Sequence, residues 1–230
     1  MKKLLLAALV SSLAACSTAT SFDRGALHSE LNQQQVINDD DIKTALNAKA
    51  QLNTPFRVAV YFSPRLHAYG EGKWRWTADD KQQFLKLRDS LKAQGVVSDL
   101  FLLSDNLVDG QGHKAVRLAA ARTGADAVLV VDGASQVEHH LNNWGLTYFL
   151  LVPALFVPGT QMDGLFISNA SLWDVRNDYL YLSSESEGTA RQVRSTYGLD
   201  EEELMQQAKT DSLGGLGKEV NQRLLALAGK

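Results

Sequence analysis

The chain has 230 residues, of which 45% are hydrophobic and 21% charged, so it is long enough for one domain with a real core plus a tether. Its formal net charge is −3, which argues against nucleic acid or anionic lipid headgroups as the main partner. Cys16 is the single cysteine of the sequence, and this excludes both a disulfide and a cysteine-based metal site.

The N-terminus has the parts of a bacterial lipoprotein signal peptide. A basic start (MKK) precedes an apolar stretch, residues 4–13, that is too short to span a bilayer as a stable helix. The letters LAAC at residues 13–16 then look like a lipobox, in which small residues precede the cysteine that receives diacylglycerol and an N-acyl chain. We therefore expect residues 1–15 to be a signal peptide and Cys16 to be lipidated.

The lipid determines where we expect the domain to lie. Ser17 follows the cysteine, whereas an aspartate there resembles the inner-membrane retention signal of enteric bacteria, so the sequence favours the periplasmic face of the outer membrane. Several acyl chains make such an anchor stable. Residues 16–38 are polar and aperiodic, which predicts a lipidated N-terminus with a flexible tether, and residues 39–230 are predicted to form a periplasmic α/β domain.

The first half of this domain alternates strands and helices. The acidic run at residues 39–41 suits the start of a short helix. Strands are predicted where β-branched and aromatic residues cluster, and helices where apolar residues recur at helical spacing between an N-cap such as Thr77 and a terminal glycine. In chain order these are a strand at 56–62, a helix at 77–95, a strand at 96–104, a helix at 113–124 and a strand at 125–133.

The second half follows a different pattern. Apolar and polar residues alternate on both sides of the RND sequence at residues 176–178, which predicts an antiparallel hairpin with one solvated face. A last helix starts at the acidic run near residue 200, and its glycines, Gly214, Gly215 and Gly217, indicate a bend partway. The predicted fold is therefore α/β, with a single mixed sheet (β-α-β-α-β, then an antiparallel β-hairpin and a C-terminal helix) and helices packed on the sheet.

Two phrases in this order resemble a group of bacterial envelope lipoproteins. They are ARTGADAVLVVDG at residues 121–133 and LWDVRNDYLYLSSESEG at residues 172–188. The group includes the curli-secretion lipoprotein, the outer-membrane activators of peptidoglycan synthases and the N-terminal domain of TolB, and within it the chain looks closest to rhombotarget lipoproteins. The C-terminal LLALAGK lacks the tail that a rhomboid-type sorting enzyme would cut, and Asn177-Asp178 stands where the group has a glycine turn. The resemblance implies the fold class and little about function.

The sequence contains no specific catalytic motif. There is no G-x-S-x-G, no H-E-x-x-H and no glycine fingerprint after a strand, and GEGKW at residues 70–74 lacks the spacing of a phosphate loop. His139 and His140 are adjacent on a strand, so their side chains point to opposite faces and would not chelate one ion. Asp132 follows an aliphatic strand, where the favoured interpretation is a turn cap with Gly133. We expect no enzyme, cofactor, metal or catalytic residue.

Trp74 and Trp76 are candidate partner-binding residues. In the sequence WRW they could form an aromatic anchor for a glycan or a protein, with Arg75 stacking between the rings. They also precede the N-cap Thr77, so a hydrophobic staple explains at least one of them equally well. The sequence leaves both interpretations open.

The apolar run at residues 144–157 is the other candidate contact surface. It is shorter than the roughly 20 residues of a transmembrane helix, and Pro153 and Pro158 would interrupt one. A barrel strand needs alternating polarity, which YFLLVPALFV lacks. The remaining alternatives are a cover for the core and an exposed docking patch. In the second alternative, the partner-binding residues are Trp144, Phe149, Leu151, Leu155 and Phe156.

The predicted function is a non-enzymatic, outer-membrane-anchored lipoprotein that acts as a binding or scaffold module for an envelope partner. Its lipid would lie in the inner leaflet of the outer membrane, and its protein partner would be an unidentified envelope protein or a second copy of the chain. An oligomeric component of a secretion or envelope-assembly machine, with an apolar insertion or docking segment, is the alternative. An envelope-acting hydrolase or transferase comes third.

Overall fold

The computed structural model describes residues 22–31, 39–64, 74–110, 112–141, 160–194 and 200–229, which contain one five-stranded sheet with helices on both faces. None of the described helices is both long and apolar enough to span a membrane. In chain order the elements are α1 (Arg24–Leu31), α2 (Asp39–Asn47), β1 (Phe56–Phe62), α3 (Ala78–Leu85), α4 (Leu87–Ala93), β2 (Val97–Leu102), a short 3-10 helix (Asp105–Leu107), α5 (His113–Arg122), β3 (Ala127–Leu141), β4 (Thr160–Asp174), β5 (Leu180–Arg194) and α6 (Glu201–Leu227).

The strand order is β2-β1-β3-β4-β5, and it confirms the predicted mixed α/β sheet. β1 is parallel to β2 on one side and to β3 on the other. The helices that connect β1 to β2 pack on one face of the sheet, whereas α5, which connects β2 to β3, packs on the other. β3, β4 and β5 are antiparallel to one another, as the hairpin pattern predicts.

Alternate side chains of β1 belong to two separate cores. Val58 lies in a cluster with Leu91 of α4 and Leu216 of α6. Its neighbour Ala59 points to the opposite face and lies in a cluster with Val116 of α5. Burial on both faces explains why β1 has a nearly continuous apolar sequence instead of an alternating one.

β3 is longer than the sequence predicts. A turn was expected at Asp132 and Gly133, but the strand continues to Leu141 because β4 pairs with it along its whole length, as far as Thr160. Asp132 Oδ1 does accept a hydrogen bond of 2.8 Å from the backbone N–H of Gly133, inside the strand. Glycine at this position makes room for the ring of Phe166, since a Cβ would lie 2.6 Å from its Cζ atom.

The turn between β4 and β5 is closed by polar side chains instead of a glycine. Asp178 adopts a φ of 65°, a left-handed conformation that aspartate and asparagine tolerate better than most residues. The backbone N–H of Arg176 donates to Asp174 Oδ1 at 2.8 Å, and that of Tyr179 donates to Asn177 Oδ1 at 3.1 Å. These local hydrogen bonds account for the departure from the glycine turn of the resembling lipoproteins.

α1 corrects the flexible tether predicted for residues 16–38, because part of that range is a helix docked on the sheet. Leu27 and Leu31 are 4% and 7% exposed and pack with Leu165 of β4. Arg24 Nε donates to Glu187 Oε1 of β5 at 2.9 Å. Two leucines at i, i+4 spacing are a weak signal in a polar segment, so burial against the sheet was needed to reveal this helix.

α6 continues as one helix through residues 214–217, the GGLG sequence for which a bend was expected. Contact with β5 accounts for one of these glycines, since a Cβ on Gly215 would collide with the side chain of Ser186. Conversely, a Cβ on Gly188 of β5 would collide with the backbone of α6 near Ser212. Glycines on both elements thus allow α6 to lie directly on β5.

Candidate binding surface

Most of the predicted contact residues lie outside the part of the chain that the structure describes. These are the lipidation site and the residues of the apolar run, namely Cys16, Trp144, Phe149, Leu151, Leu155 and Phe156. Core and interface therefore stay open as alternatives for residues 144–157. Trp74 and Trp76 are described, so their surroundings can be compared with the two interpretations of the WRW sequence.

Trp74 and Trp76 lie in an aromatic cluster beside β1 and β4, and both are half-buried. The ring centroids of Trp74 and Trp76 are 4.7 Å apart, Trp76 lies 5.1 Å from Phe62, and Trp74 lies 4.8 Å from Phe166. All three contacts are edge-to-face, a geometry that aromatic pairs prefer. The indole N–H of Trp76 donates to the carbonyl oxygen of Ser63 at 2.9 Å. Packing of this kind favours a structural role, while a partner contact through these rings stays a prediction.

A buried ion pair joins the WRW segment to α6. Nζ of Lys209 lies 2.6 Å from Oδ2 of Asp80 and donates at 2.7 Å to the carbonyl oxygen of Arg75. Asp80 also accepts a hydrogen bond from the backbone N–H of Thr77, which completes the capping box of α3. Because both charges are removed from water and satisfied by each other, the pair is a structural connection and leaves no free nucleophile or base.

The adjacent histidines at the end of β3 do not come together on one ion. His139 is exposed, whereas Nε2 of His140 lies 3.3 Å from Glu138 Oε2 and 3.9 Å from Asp163 Oδ2. Asp163 is only 3% exposed and is held by the Nε of Arg191 at 2.5 Å. Within the described ranges, no group of three histidine, cysteine or acidic side chains is arranged to hold a metal.

A second charged cluster joins α5 to the β4–β5 turn. Nδ1 of His113 lies 3.0 Å from Asp178 Oδ1, and Nη1 of Arg117 lies 3.1 Å from Asp178 Oδ2. The His113 ring also packs on Trp173, with ring centroids 4.4 Å apart. Burial lowers the pKa of His113 from its ordinary value of 6.5, the Asp178 carboxylate opposes this effect, and the Arg117 guanidinium adds to it. The cluster holds the turn residue Asp178 in its left-handed conformation.

The outer edge of β5 is open in the part of the chain that the structure describes. β5 ends the sheet, and no described strand pairs with its outer side. The strand has 15 residues, which correspond to an edge of about 50 Å at roughly 3.4 Å per residue. Such an edge presents backbone N–H and C=O groups that can pair with another strand. The opposite edge strand, β2, has only 6 residues.

An open polar groove of about 770 Å³ runs between β5 and α6. Ser186 and Glu187 line it on the β5 side, and Glu203, Asp211 and Lys218 are among the α6 residues on the other side. An extended polypeptide could therefore pair with the strand and place its side chains in the groove. We call the outer side of β5 together with this groove the β5 edge surface.

The β5 edge surface was not predicted from the sequence. The alternation of apolar and polar residues in YLYLSSESEG, residues 179–188, indicates a strand with a solvated face. It does not indicate that the strand lies at the end of the sheet, because strand order depends on pairing between distant segments. The one local signal is Gly188, which is unusual inside a strand and often marks close backbone approach.

Comparisons with known proteins give structural likenesses at low identity. No family model and no curated protein matches the chain. A hypothetical protein of Chlamydia trachomatis is 12% identical, with a TM-score of 0.40, over 74% of this chain and 99% of its own. The PelC dodecamer of Paraburkholderia phytofirmans is 16% identical, with a TM-score of 0.34, over 74% and 91%. A minor lipoprotein of Acinetobacter baumannii is 13% identical, with a TM-score of 0.34, over 71% and 92%.

Bacterial lipoproteins are thus among the structural neighbours, and two more come from Caulobacter crescentus and Neisseria meningitidis. At these TM-scores the likenesses assign neither a family nor a function to the chain. The resemblance to rhombotarget and curli-secretion lipoproteins stays a prediction from the sequence.

Proposed function

We propose that the chain is a lipid-anchored outer-membrane protein that binds another polypeptide at the β5 edge surface and has no catalytic activity. The observation that supports this proposal best is the open outer side of a 15-residue strand, in the described part of the chain, beside a polar groove. Binding by strand addition uses this combination, because main-chain hydrogen bonds give affinity and neighbouring pockets give specificity.

The cellular location in this proposal is inferred from the N-terminal sequence. Lipid on Cys16 would anchor the chain, and α1 begins at Arg24, so residues 17–23 connect the lipid to a helix that is docked on the sheet. A fully extended segment of this length spans about 25 Å. The sheet face that carries α1 would therefore stay close to the membrane surface, and the β5 edge surface would lie within reach of other envelope proteins.

The described ionisable groups support a binding role without catalysis. Lys209 and Asp80 neutralise each other in the core, and Asp163 is held by Arg191. Each of these groups has a structural partner within the fold. A module that binds through backbone groups and polar side chains requires none of them to react.

Lysine substitutions at the strand edge test the proposal. Ser183 and Val193 are exposed residues of β5, and lysines on an edge strand oppose pairing with another strand. A photo-crosslinking residue at Gln207 of α6 should capture a partner in cells, and its identity would be established by mass spectrometry. We expect Ser183→Lys/Val193→Lys to abolish this adduct while the melting temperature is unchanged. Ser98→Lys on β2 is the matched control and should keep the adduct.

Binding of the purified partner to the full-length protein then completes the test. The proposal is wrong if Ser183→Lys/Val193→Lys binds with the same affinity as Ser98→Lys, or if Gln207 gives no adduct in cells. Cys16→Ala should separately shift the protein out of the outer-membrane fraction. An unchanged membrane fraction would reject the lipid anchor and leave the binding surface untouched.

A further inference from the structure

The charges on the β5 edge surface are arranged symmetrically about Gly188. We propose that the polypeptide bound at this surface is a second copy of the chain, with the two β5 strands antiparallel about a two-fold axis at Gly188. This inference rests on the proposed function and names its partner. The two sheets would form one continuous sheet, with both copies of α6 on the same face.

The exposed charges of β5 are self-complementary about this axis. Residues equally distant from Gly188 oppose each other, so Glu185 of one copy faces Arg191 of the other, and this contact occurs twice. Within the chain, Glu185 lies 3.4 Å from His28, and Arg191 holds Asp163 through its Nε. The side chains of Glu185 and Arg191 are still 43% and 59% exposed, so both remain accessible to a second copy. Opposite charges directly across an antiparallel strand pair stabilise it, and Glu187 meets the neutral Thr189.

Neighbouring axis positions give poorer pairs. An axis at Glu187 would place the two Glu187 carboxylates opposite each other, and like charges at that position destabilise a strand pair. An axis at Thr189 would pair Glu187 with Arg191, but it would also place Glu185 opposite Val193, a 45% exposed apolar side chain. The axis at Gly188 avoids both contacts.

The charges of α6 show the same symmetry, and they do so independently of those on β5. Gly188 lies against Ala208 and Ser212, so an axis at this residue passes beside the middle of α6. Glu203 and Lys218 line the groove on opposite sides of that middle. Glu203 also lies 3.3 Å from Arg194 of β5, but its side chain is 57% exposed and remains accessible. Two antiparallel copies of α6 would bring Glu203 of each copy towards Lys218 of the other. Strand and helix therefore both place opposite charges at similar distances from one axis.

A closed pair also accounts for the length of the exposed strand edge. An isologous contact about a two-fold axis uses the same surface on both copies and ends after two of them. It would cover residues 182–194 of a 15-residue edge that could otherwise add further strands without limit.

Paired cysteines test the register in cells. Cys16 is the native cysteine, and its thiol is expected to carry the lipid. Any disulfide in the full-length protein would therefore come from the engineered cysteines. Glu187→Cys/Thr189→Cys places each new thiol opposite a thiol of the second copy, and we expect a disulfide-linked dimer on a non-reducing gel. These two cysteines are two residues apart on the same strand, so they cannot form a disulfide with each other within one chain. Glu185→Cys/Thr189→Cys aligns thiols for an axis at Glu187 or at Thr189 but not at Gly188, so it is the control and should stay monomeric.

Charge reversal tests the contact between the two copies of α6. The mass of the full-length protein in detergent is measured by light scattering. Glu203→Lys or Lys218→Glu alone would place like charges across the axis and should weaken dimerisation by about tenfold. The double variant Glu203→Lys/Lys218→Glu should restore it. Circular dichroism on all three variants separates loss of pairing from loss of folding.

A dimer mass, a specific cross-link and rescue by the double reversal would support the second copy. A monomer mass with no cross-link in cells would overturn it, and the proposed function still stands if Ser183→Lys/Val193→Lys loses its envelope adduct. Equal cross-linking through the control pair, or no rescue by the double reversal, would reject the axis at Gly188.

Discussion

Lys209 and Asp80 form an ion pair inside the core, with Nζ of Lys209 2.6 Å from Oδ2 of Asp80 and both side chains 2% exposed. The pair connects α6, which forms half of the β5 edge surface, to the first turn of α3. It also reaches the carbonyl oxygen of Arg75 in the WRW segment. One side chain thus joins three parts of the fold that are far apart in sequence.

Replacing Lys209 with methionine should destabilise the protein by about 3–5 kcal/mol, because Asp80 would be left buried and unpaired. The free energy of unfolding in urea measures the effect. Lys92→Met on the exposed side of α4 is the control and should lie within about 0.5 kcal/mol of the wild type. Equal values for the two variants would contradict the structural role of the pair.

Two glycines should respond in opposite directions to the same substitution. Gly188→Ala should destabilise by about 1–3 kcal/mol or more, because its Cβ would collide with the α6 backbone. Gly217→Ala should stabilise by about 0.5–1 kcal/mol, since no atom lies within 4 Å of the new Cβ and alanine favours the helix interior. Thermal unfolding of the two variants checks both signs, and a stabilising Gly188→Ala would refute the close approach of α6.

Trp76→Ala should cost about 3–5 kcal/mol in stability, because the indole packs on Phe62 and its N–H bonds to Ser63. Arg75→Ala removes an exposed side chain beside it and should change stability by less than about 0.5 kcal/mol. Urea unfolding compares the two. If Trp76→Ala keeps full stability and loses only partner binding, the aromatic-anchor interpretation of WRW is the correct one.

Stability should fall as the pH drops below about 6.5, because burial lowers the pKa of His113 in the folded protein. Between the folded and unfolded pKa values, the unfolded chain binds a proton that the folded chain does not, so acid favours unfolding. This contribution is complete above the unfolded pKa and disappears as the pH falls to the folded pKa. His113→Gln should flatten this part of the profile in urea unfolding at several pH values, and an identical slope in the variant would exclude His113 as its origin.

Much of the fold could be predicted because it depends on local pattern. The apolar run of β1, the N-cap Thr77 and the alternation around residues 176–178 indicate their elements without any knowledge of neighbours. The prediction was wrong where a distant segment decides the outcome. β3 continues past Gly133 because β4 pairs with it, and α1 is a docked helix because Leu27 finds an apolar site on the sheet.

The sequence by itself determined the order of the strands and of the helices from residue 39 onward, the mixed sheet and the expectation of a lipid anchor at Cys16, since each depends on residues close together in the chain. Only the tertiary structure decided that β5 lies at one end of the described sheet, that Lys209 meets Asp80, and that Gly188 lies against α6. The physical reason is that strand order and close packing come from contacts between distant segments. A local pattern records that a residue is apolar, charged or small, but it does not record which partner that residue meets.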